Sequence, residues 1–274
     1  MERKRILFVS QEIIPYSDES LAAQISRMLP QEMNESGYEV RIFMPRFGTI
    51  NERRHQLHEV IRLSGINLNI NDMDQPLIIK VASIPQIRIQ VYFIDNDEYF
   101  KRKAVFSDKD GQFFEDNDER ALFFCRGVLE TVKKLGWAPH VIHCHGWMTS
   151  MLPLYVKNFY NDDPVFSQTR VVTSLYNDQF DGKLDEHLVE KIAYDRINGE
   201  TTKVIKKPLH ANLQKLAVQH SDGVVLASDS LDGELVAALK ESKTPFMSHP
   251  SSEDFADEYR KFYDQMIVHE VTVA

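Results

Sequence analysis

Two histidines separated by one residue are the first candidates for chemistry in this sequence. His143 and His145 lie in the apolar run VIHCH, which is typical of a strand, so both imidazoles would project from the same face. Two imidazoles on one face can begin a metal site, but no further ligand has the spacing to complete a zinc site. We therefore expect no metal here and interpret both residues as cleft-lining or hydrogen-bonded structural histidines.

The other imidazoles and the thiols have structural explanations. His55 and His58 lie in the polar segment NERRHQLHEV, where they would share a solvated helix face. Cys125 falls on the apolar stripe of a predicted helix and Cys144 lies within VIHCH, so both are interpreted as small core residues. With only two cysteines, no disulfide framework is expected.

The loop after the first predicted strand is where a phosphate-binding segment would be expected. It reads EIIPYSDESL and contains no glycine. A diphosphate needs close approach of backbone amides and usually a cation. Asp18 and Glu19 would instead place two carboxylates there, and Coulomb repulsion would oppose the phosphates. We therefore expect no phosphate-binding loop and no cofactor.

The elements that would position these residues alternate between strand and helix. Runs of apolar and β-branched residues predict strands at Arg5–Ser10, Tyr38–Met44, Leu77–Ile84, Ile87–Ile94, Val141–His145, Arg170–Leu175 and Gly223–Ala227. Apolar residues at helical spacing predict helices from Leu21 to Gly37 with a kink at Pro30, and at Asp116–Leu135, Trp147–Phe159, Leu209–His220 and Leu231–Leu239. This order predicts an α/β fold with a Rossmann-like, doubly wound parallel sheet. Ligands of such sheets bind beyond the carboxyl ends of the strands, so the site is expected there.

The last part of the chain has a different pattern. Residues Glu241–Ser252 contain Ser, Pro and Thr and are typical of a linker. The segment Glu253–Ile267 that follows carries one helical stripe of apolar side chains: Phe255, Tyr259, Phe262, Tyr263 and Met266. The pattern favours a helix docked on the body of the protein, and a partner-binding helix is the alternative.

Composition excludes several classes of protein. The net charge of −9 argues against a nucleic-acid-binding or anionic-membrane-binding surface, which would need an excess of basic residues. No stretch approaches the roughly 20 apolar residues of a membrane span. The apolar run Ile6–Ser10 is too short for a signal peptide. The chain is therefore expected to be cytoplasmic.

An ordered set of segments resembles one known family. The segments are ILFVSQEIIP, VRIFMPRFGTINERR, VYFIDNDEYF, DNDERALFFCRGVLETVKKLGW, VIHCHGW and SDGVVLASDSL. Their order over most of residues 4–240 is similar to the N-terminal domain of the bacterial ADP-glucose-dependent glycogen/starch synthases. The resemblance implies a glycosyltransferase of the GT-B type, in which glucose passes from ADP-glucose to an α-1,4-glucan.

The departures from the family fall on its catalytic motifs. Where the family has Lys-Thr-Gly-Gly-Leu, whose lysine and amides hold the diphosphate, this chain has Ser-Asp-Glu-Ser-Leu at residues 17–21. Of the family's His-Asp-Trp-His-x-Gly, only His145 and Trp147 remain. The family's catalytic histidine aligns with Tyr176, and Asn177 follows in register. The resemblance thus leaves no catalytic residue in place, with His145, Trp147 and Asn177 as candidates for a cleft wall.

The resemblance also implies a domain organisation. Residues 1–240 correspond to the family's N-terminal domain, and 241–274 to a linker and a helix that crosses back onto it, where the family would insert a second nucleotide-binding domain. The first hypothesis is a non-catalytic homologue that binds an α-glucan or a related nucleotide-sugar ligand, or regulates a protein partner. The second is an active glucosyltransferase, or half of one that a partner chain completes. The third is an unrelated enzyme that uses Tyr176 and His145 in a remodelled cleft.

Overall fold

The computed structural model describes residues 3–87, 89–250 and 255–268. In this part of the chain, one sheet contains ten strands, in the spatial order β10-β9-β8-β7-β1-β2-β6-β5-β3, with β4 paired to β5. The strands are β1 (Arg5–Ser10), β2 (Glu39–Pro45), β3 (His58–Glu59), β4 (Ile66–Ile70), β5 (Met73–Ser83), β6 (Gln90–Asp95), β7 (Val141–His145), β8 (Arg170–Leu175), β9 (Gly223–Leu226) and β10 (Phe246–Ser248).

The sheet is mixed but mostly parallel. All neighbouring pairs from β10 through β6 run parallel. The predicted strands Leu77–Ile84 and Ile87–Ile94 correspond to β5 and β6, which pair antiparallel, and β3 and β4 extend this antiparallel edge. The chain winds in one direction from β1 to β2 and resumes on the other side of β1 with β7, so the switch point of the doubly wound sheet lies between β1 and β7.

Helices follow most of the predicted segments. They are α1 (Leu21–Glu35), α2 (Asp97–Phe100), α3 (Asn117–Lys134), α4 (Leu152–Asn158), α5 (Leu188–Ala193), α6 (His210–His220), α7 (Gly233–Glu241) and α8 (Phe255–Val268). Helix α1 begins at the cap Ser20, whose side chain accepts a hydrogen bond from the amide of Ala23, and it continues through Pro30. The predicted helix at Trp147–Phe159 is two pieces, a 3₁₀ turn at Trp147–Thr149 and α4, because Pro153 lies in the first turn of α4.

Two expectations about local structure were wrong. His55 and His58 do not share a helix face, since residues 52–56 form turns and His58 begins the short edge strand β3. The predicted linker is not structureless, because Phe246–Ser248 adds the strand β10 to the edge of the sheet beside β9. Backbone hydrogen bonds available at that edge explain why a segment without a strand pattern joins the sheet. No helix within the described residues is long and apolar enough to cross a membrane.

Helix α8 packs against β7 and α1. Tyr259, Phe262, Tyr263 and Met266 are all buried. Gly223 at the start of β9 makes room for the helix, since a Cβ there would come within 2.9 Å of the Phe262 ring. The aromatic stripe is therefore part of the core that supports the sheet.

Candidate functional site

A cleft opens over the switch point, at the carboxyl ends of β1, β7, β8 and β9. It has a volume of about 500 Å³. Its wall includes Glu12, Trp147, Tyr176, Asn177, Asp178 and Phe180. Three of the residues expected from the sequence, Trp147, Tyr176 and Asn177, are thus brought together. The volume lies within the range of about 300–1,000 Å³ that is usual for small-ligand sites.

The floor of the cleft depends on a close approach between Gln11 and Gly146. Gly146 has a φ of +87°, and a Cβ there would collide with the side chain of Gln11. The amide oxygen of Gln11 accepts a hydrogen bond from the backbone N–H of Met148, 3.2 Å away. A glycine at position 146 is therefore required both by its left-handed backbone and by the Gln11 side chain above it.

Asp178 joins two walls of the cleft. One carboxylate oxygen accepts a hydrogen bond from the backbone N–H of Trp147 at 2.9 Å, and the other lies 3.0 Å from Nε2 of His210 at the start of α6. Asn177 is exposed beside it and donates a hydrogen bond to Ser230 after β9, at 3.1 Å. Sequence reasoning missed Asp178, although it follows Asn177 directly at the carboxyl end of β8, where a site residue is expected.

His145 lies behind the cleft wall, which differs from the expectation that it lines the cleft. Its side chain is fully buried, and its Nδ1 lies 2.8 Å from the hydroxyl of Tyr176. Burial lowers the pKa of His145 to about 3, so the imidazole is neutral at physiological pH. The other nitrogen, Nε2, is buried without a hydrogen-bond partner among the described groups.

Tyr176 presents its ring to the cleft and its hydroxyl to the interior. Burial raises the pKa of the Tyr176 phenol well above its usual value, and the nearby Tyr259 raises it further. The phenol therefore stays protonated and is a poor general base at neutral pH. The Tyr176 hydroxyl is hydrogen-bonded to His145 beneath the cleft wall.

His143 continues the buried polar network toward α8. Its ring centroid is 4.0 Å from that of His145. Its Nδ1 shares a hydrogen bond of 2.6 Å with the Tyr263 hydroxyl, and its Nε2 one of 2.8 Å with Ser174. Both histidines thus serve as hydrogen-bonded core residues, one of the two interpretations that the sequence allowed. Among the described residues, no group of three His, Cys, Asp or Glu side chains is arranged to hold a metal ion.

Aromatic side chains form one side of the cleft. Trp147 contacts Phe106 and Phe180, with ring centroids 5.0 Å apart in both pairs. Phe180 also stacks on Phe113, at 4.8 Å and an interplanar angle of 15°. Phe106, Phe113 and Phe180 are half-buried and Trp147 lies beneath them. Phe106 and Phe113 come from the connection between α2 and α3 and Phe180 from the loop after β8, and neither segment has a helical or strand period.

The loop between β1 and α1 is acidic where a phosphate-binding loop would be cationic. Burial raises the pKa of the Glu12 carboxyl, and the neighbouring carboxylates of Asp178 and Asp18 add to this rise. Asp18 borders a second cavity beside the cleft, of about 310 Å³, together with Arg54. Glu19 is exposed, and its carboxylate accepts a hydrogen bond from Gln24. Of the two acidic residues expected to oppose phosphates, Asp18 thus borders a cavity and Glu19 is exposed, and Glu12 is more buried than either.

Comparisons with known proteins agree with this fold. A family model described as the starch synthase catalytic domain matches residues 5–243. A glycogen synthase of Chlorobium limicola is 35% identical over 233 residues, which is 85% of this chain and 47% of the relative. A glycogen synthase of Chlorobium luteolum is 39% identical over 196 residues, 71% of this chain and 40% of the relative. The chain thus spans about half the length of the curated relatives it matches.

A solved structure shows the same architecture. The catalytic domain of starch synthase IV from Arabidopsis thaliana, bound to ADP and acarbose, superposes with a TM-score of 0.74 at 17% sequence identity, covering 90% of this chain and 51% of that one. The fold is therefore that of the N-terminal Rossmann-like domain of a GT-B glycosyltransferase. The family model matches most of this chain, residues 5–243. The chain therefore belongs to the starch synthase catalytic domain family, and its curated relatives in that family are bacterial glycogen synthases.

Proposed function

We propose that this member of the glycogen/starch synthase family binds an α-glucan in the cleft and does not by itself transfer glucose from ADP-glucose. It would act as a glucan-binding or regulatory homologue in the cytoplasm, with residues 1–240 as the synthase-like domain and 241–274 as a linker and a helix that docks back on it. The single observation that carries this proposal is the cluster of Glu12, Asp18 and Asp178 at the switch point, where burial and the two neighbouring carboxylates raise the pKa of Glu12.

The carboxylates disfavour a diphosphate. A nucleotide sugar brings two negative charges, and this loop contributes neither a lysine nor glycine amides to offset them. One amide of the first turn of α1 is also engaged, since the Ser20 side chain accepts the hydrogen bond of the Ala23 amide. Free amides at a helix N-terminus are what usually hold a phosphate.

The same cleft suits a neutral carbohydrate. Carboxylate and amide oxygens accept hydrogen bonds from hydroxyl groups, and the aromatic side formed by Phe106 and Phe180 can cover the apolar face of a sugar ring. The starch synthase IV structure, which has this fold, is bound to ADP and acarbose. This supports a nucleotide sugar or a glucan as the ligand of this chain. The acidic loop favours the glucan of these two.

Calorimetry of the purified chain tests the proposal. We expect heat of binding with a maltooligosaccharide and none with ADP-glucose. Asp18→Lys alone should not restore ADP-glucose binding, because the glycines of the family loop are also replaced. A micromolar dissociation constant for ADP-glucose would overturn the proposal.

The second hypothesis, a transferase completed by a partner chain, rests on His145, Trp147 and Asn177, which match the family. Mixing this chain with a separately produced C-terminal-type synthase domain should then incorporate labelled glucose into glucan. We expect no incorporation above that of the C-terminal-type domain alone. Incorporation that depends on this chain would replace the proposal by this hypothesis.

A further inference from the structure

The cavity of about 310 Å³ beside the cleft lies among the loops that follow β1 and β2 and the connection between α2 and α3. We call it the side cavity. The rings of Phe47 and Phe106 meet edge to face in its wall, with centroids 5.6 Å apart. Its apolar lining consists of Pro15, Tyr16, Phe47, Ile50, Val105 and Phe106. A pocket of this kind holds one large apolar side chain of a partner, as the anchor pockets of protein interfaces do.

Two loops beside the side cavity are packed backbone to backbone. A Cβ at Gly48, after β2, would collide with the carbonyl oxygens of Lys101 and Arg102, which follow α2. The guanidinium of Arg102 is in turn paired with Asp116, just before α3. The two loops therefore form one surface whose shape is fixed before a partner arrives, which lowers the entropic cost of binding.

This surface carries a cationic rim, formed by Arg53, Arg54 and Lys103. All three side chains are exposed, and none forms an ion pair within the part of the chain that the structure describes. The carboxylate of Glu52 is engaged by a lysine of β5, 2.7 Å away. The charge of Arg54 adds to burial in lowering the pKa of His55. In a chain with a net charge of −9, the cationic rim is thus a local site of attraction for negative charge.

The placement of these charges selects the class of partner. Arg54 lines the side cavity, whereas Arg53 and Lys103 lie outside it on two different loops, so the cations do not converge on one point. The side cavity is also lined by Glu12 and Asp18, which oppose a small anion inside it. An extended segment can instead place carboxylates on the cationic rim and an apolar side chain in the cavity. Clusters of arginines recognise acidic motifs of proteins in this way.

We propose that the side cavity and its cationic rim form a docking site for an acidic segment of a partner protein. One large apolar side chain of that segment fills the cavity, and its carboxylates pair with Arg53, Arg54 and Lys103. This inference does not depend on glucan binding in the cleft. Because Glu12 lines both the side cavity and the cleft, the docked partner lies at the edge of the cleft.

Fluorescence anisotropy with the full chain tests this inference. The probe is a labelled peptide in which glutamates flank one tryptophan, and the comparison peptide has lysine in place of every glutamate. We expect only the acidic peptide to bind, with an affinity that falls as the salt concentration rises. The double variant Arg53→Glu/Arg54→Glu should weaken binding at least about tenfold. Lys240→Glu/Lys243→Glu, at exposed positions beside the edge strand β10, changes the net charge equally and should keep the affinity.

Three further measurements test the cavity separately from its rim. Val105→Trp fills the cavity without changing its charge, so it should weaken binding of the acidic peptide. Asp18→Asn removes a repelling carboxylate and should strengthen it. The imidazole of His55 lines the cavity, so its NMR resonances should shift when the acidic peptide is added and stay in place with the lysine peptide. Melting temperatures confirm that each variant is folded.

Several results would overturn the inference. It is wrong if the acidic peptide does not bind, or if the lysine peptide binds equally well. Equal weakening by the two double variants would reduce the effect to net charge alone. Displacement of the peptide by inorganic phosphate, at an ionic strength held constant with sodium chloride, would make this a site for a small anion. Self-association of the chain that Arg53→Glu/Arg54→Glu abolishes in sedimentation would make a second copy the occupant.

Discussion

The hydroxyl of Tyr263 lies 2.6 Å from Nδ1 of His143, although 120 positions separate the two residues in the chain. Both side chains are fully buried. The contact joins α8 to the strand that ends beneath the cleft, and through the ring of His143 it reaches His145 and Tyr176. The C-terminal helix therefore completes the polar interior of the sheet.

Removing this hydroxyl should cost stability out of proportion to its size. Tyr263→Phe leaves Nδ1 of His143 buried and unpaired, and such a group costs about 1–3 kcal/mol. The free energy of unfolding in urea should fall by that amount. Tyr194→Phe, at a tyrosine that is 56% exposed, is the control and should change little. Equal stabilities for the two variants would mean that water replaces the hydroxyl.

Helix α8 should be integral to the fold. Each buried aromatic side chain contributes about 1.5–3 kcal/mol, and a domain's whole net stability is about 5–15 kcal/mol. Truncation after Ser251 should therefore give insoluble protein or lower the melting temperature by many degrees. A milder test of the same point is Phe262→Ala, which should lower the melting temperature by less than the truncation does. Lys261→Ala, on the exposed face of α8, is its control and should change the melting temperature little. A soluble, monomeric truncation with an unchanged melting temperature would make α8 a partner-binding element instead.

The buried histidines should make the protein sensitive to acid. The pKa of His145 is lowered to about 3, whereas that of an unfolded histidine is about 6.5, so below pH 6.5 the unfolded state binds the additional proton. Stability from this group is full above pH 6.5 and is lost as pH falls toward 3, by about 1.4 kcal/mol per pH unit. Asp118, whose pKa burial raises to about 6, works in the opposite direction.

A variant isolates the histidine contribution. His145→Gln should be less stable than the parent at pH 7, and the difference should shrink as pH falls from 6.5 to 4.5, since glutamine does not titrate. The midpoints of urea unfolding at several pH values measure this difference in stability between the parent and the variant. Parallel pH curves for parent and variant would contradict a lowered pKa at His145.

Lys191 should be among the residues least tolerant of substitution. Lys191→Met leaves the carboxylates of Asp118, Glu119 and Asp185 facing one another, and breaking a buried ion pair from one side costs about 3–5 kcal/mol. The loss should be smaller at pH 5 than at pH 8, because protonation relieves the repulsion. Lys203→Met, which removes an exposed pair with Glu200, should be nearly neutral. Thermal melts at both pH values compare the variants.

Gly146 should not accept a side chain. Gly146→Ala requires an alanine at positive φ and displaces Gln11, so we expect a loss of more than about 1 kcal/mol and weaker glucan binding. Gly233→Ala is the matched control, because a Cβ there meets nothing within 4 Å and the position begins α7. Equal melting temperatures for the two variants would show that Gln11 moves aside freely.

Much of the fold was determined by the sequence alone. A buried parallel strand appears as a short run of apolar residues, and an amphipathic helix as apolar residues three and four positions apart, so both can be recognised from neighbouring residues. The runs at Arg5–Ser10 and Val141–His145 and the stripe of α8 are local patterns of this kind, and the ordered motifs identified the family. Short edge strands such as β10 have no such period, since they join the sheet through backbone hydrogen bonds that any side chain permits.

The composition of the site was decided by the tertiary structure. Asp178, Phe106 and Phe180 come from loops whose sequences carry no periodic signal, and only the packing of those loops brings them to one cleft. The same holds for His145, which the motif VIHCH places on a strand face but which is buried because Tyr176 covers it and α8 packs against the same strand. A strand pattern distinguishes the two faces of a sheet, and what covers each face depends on residues more than a hundred positions away.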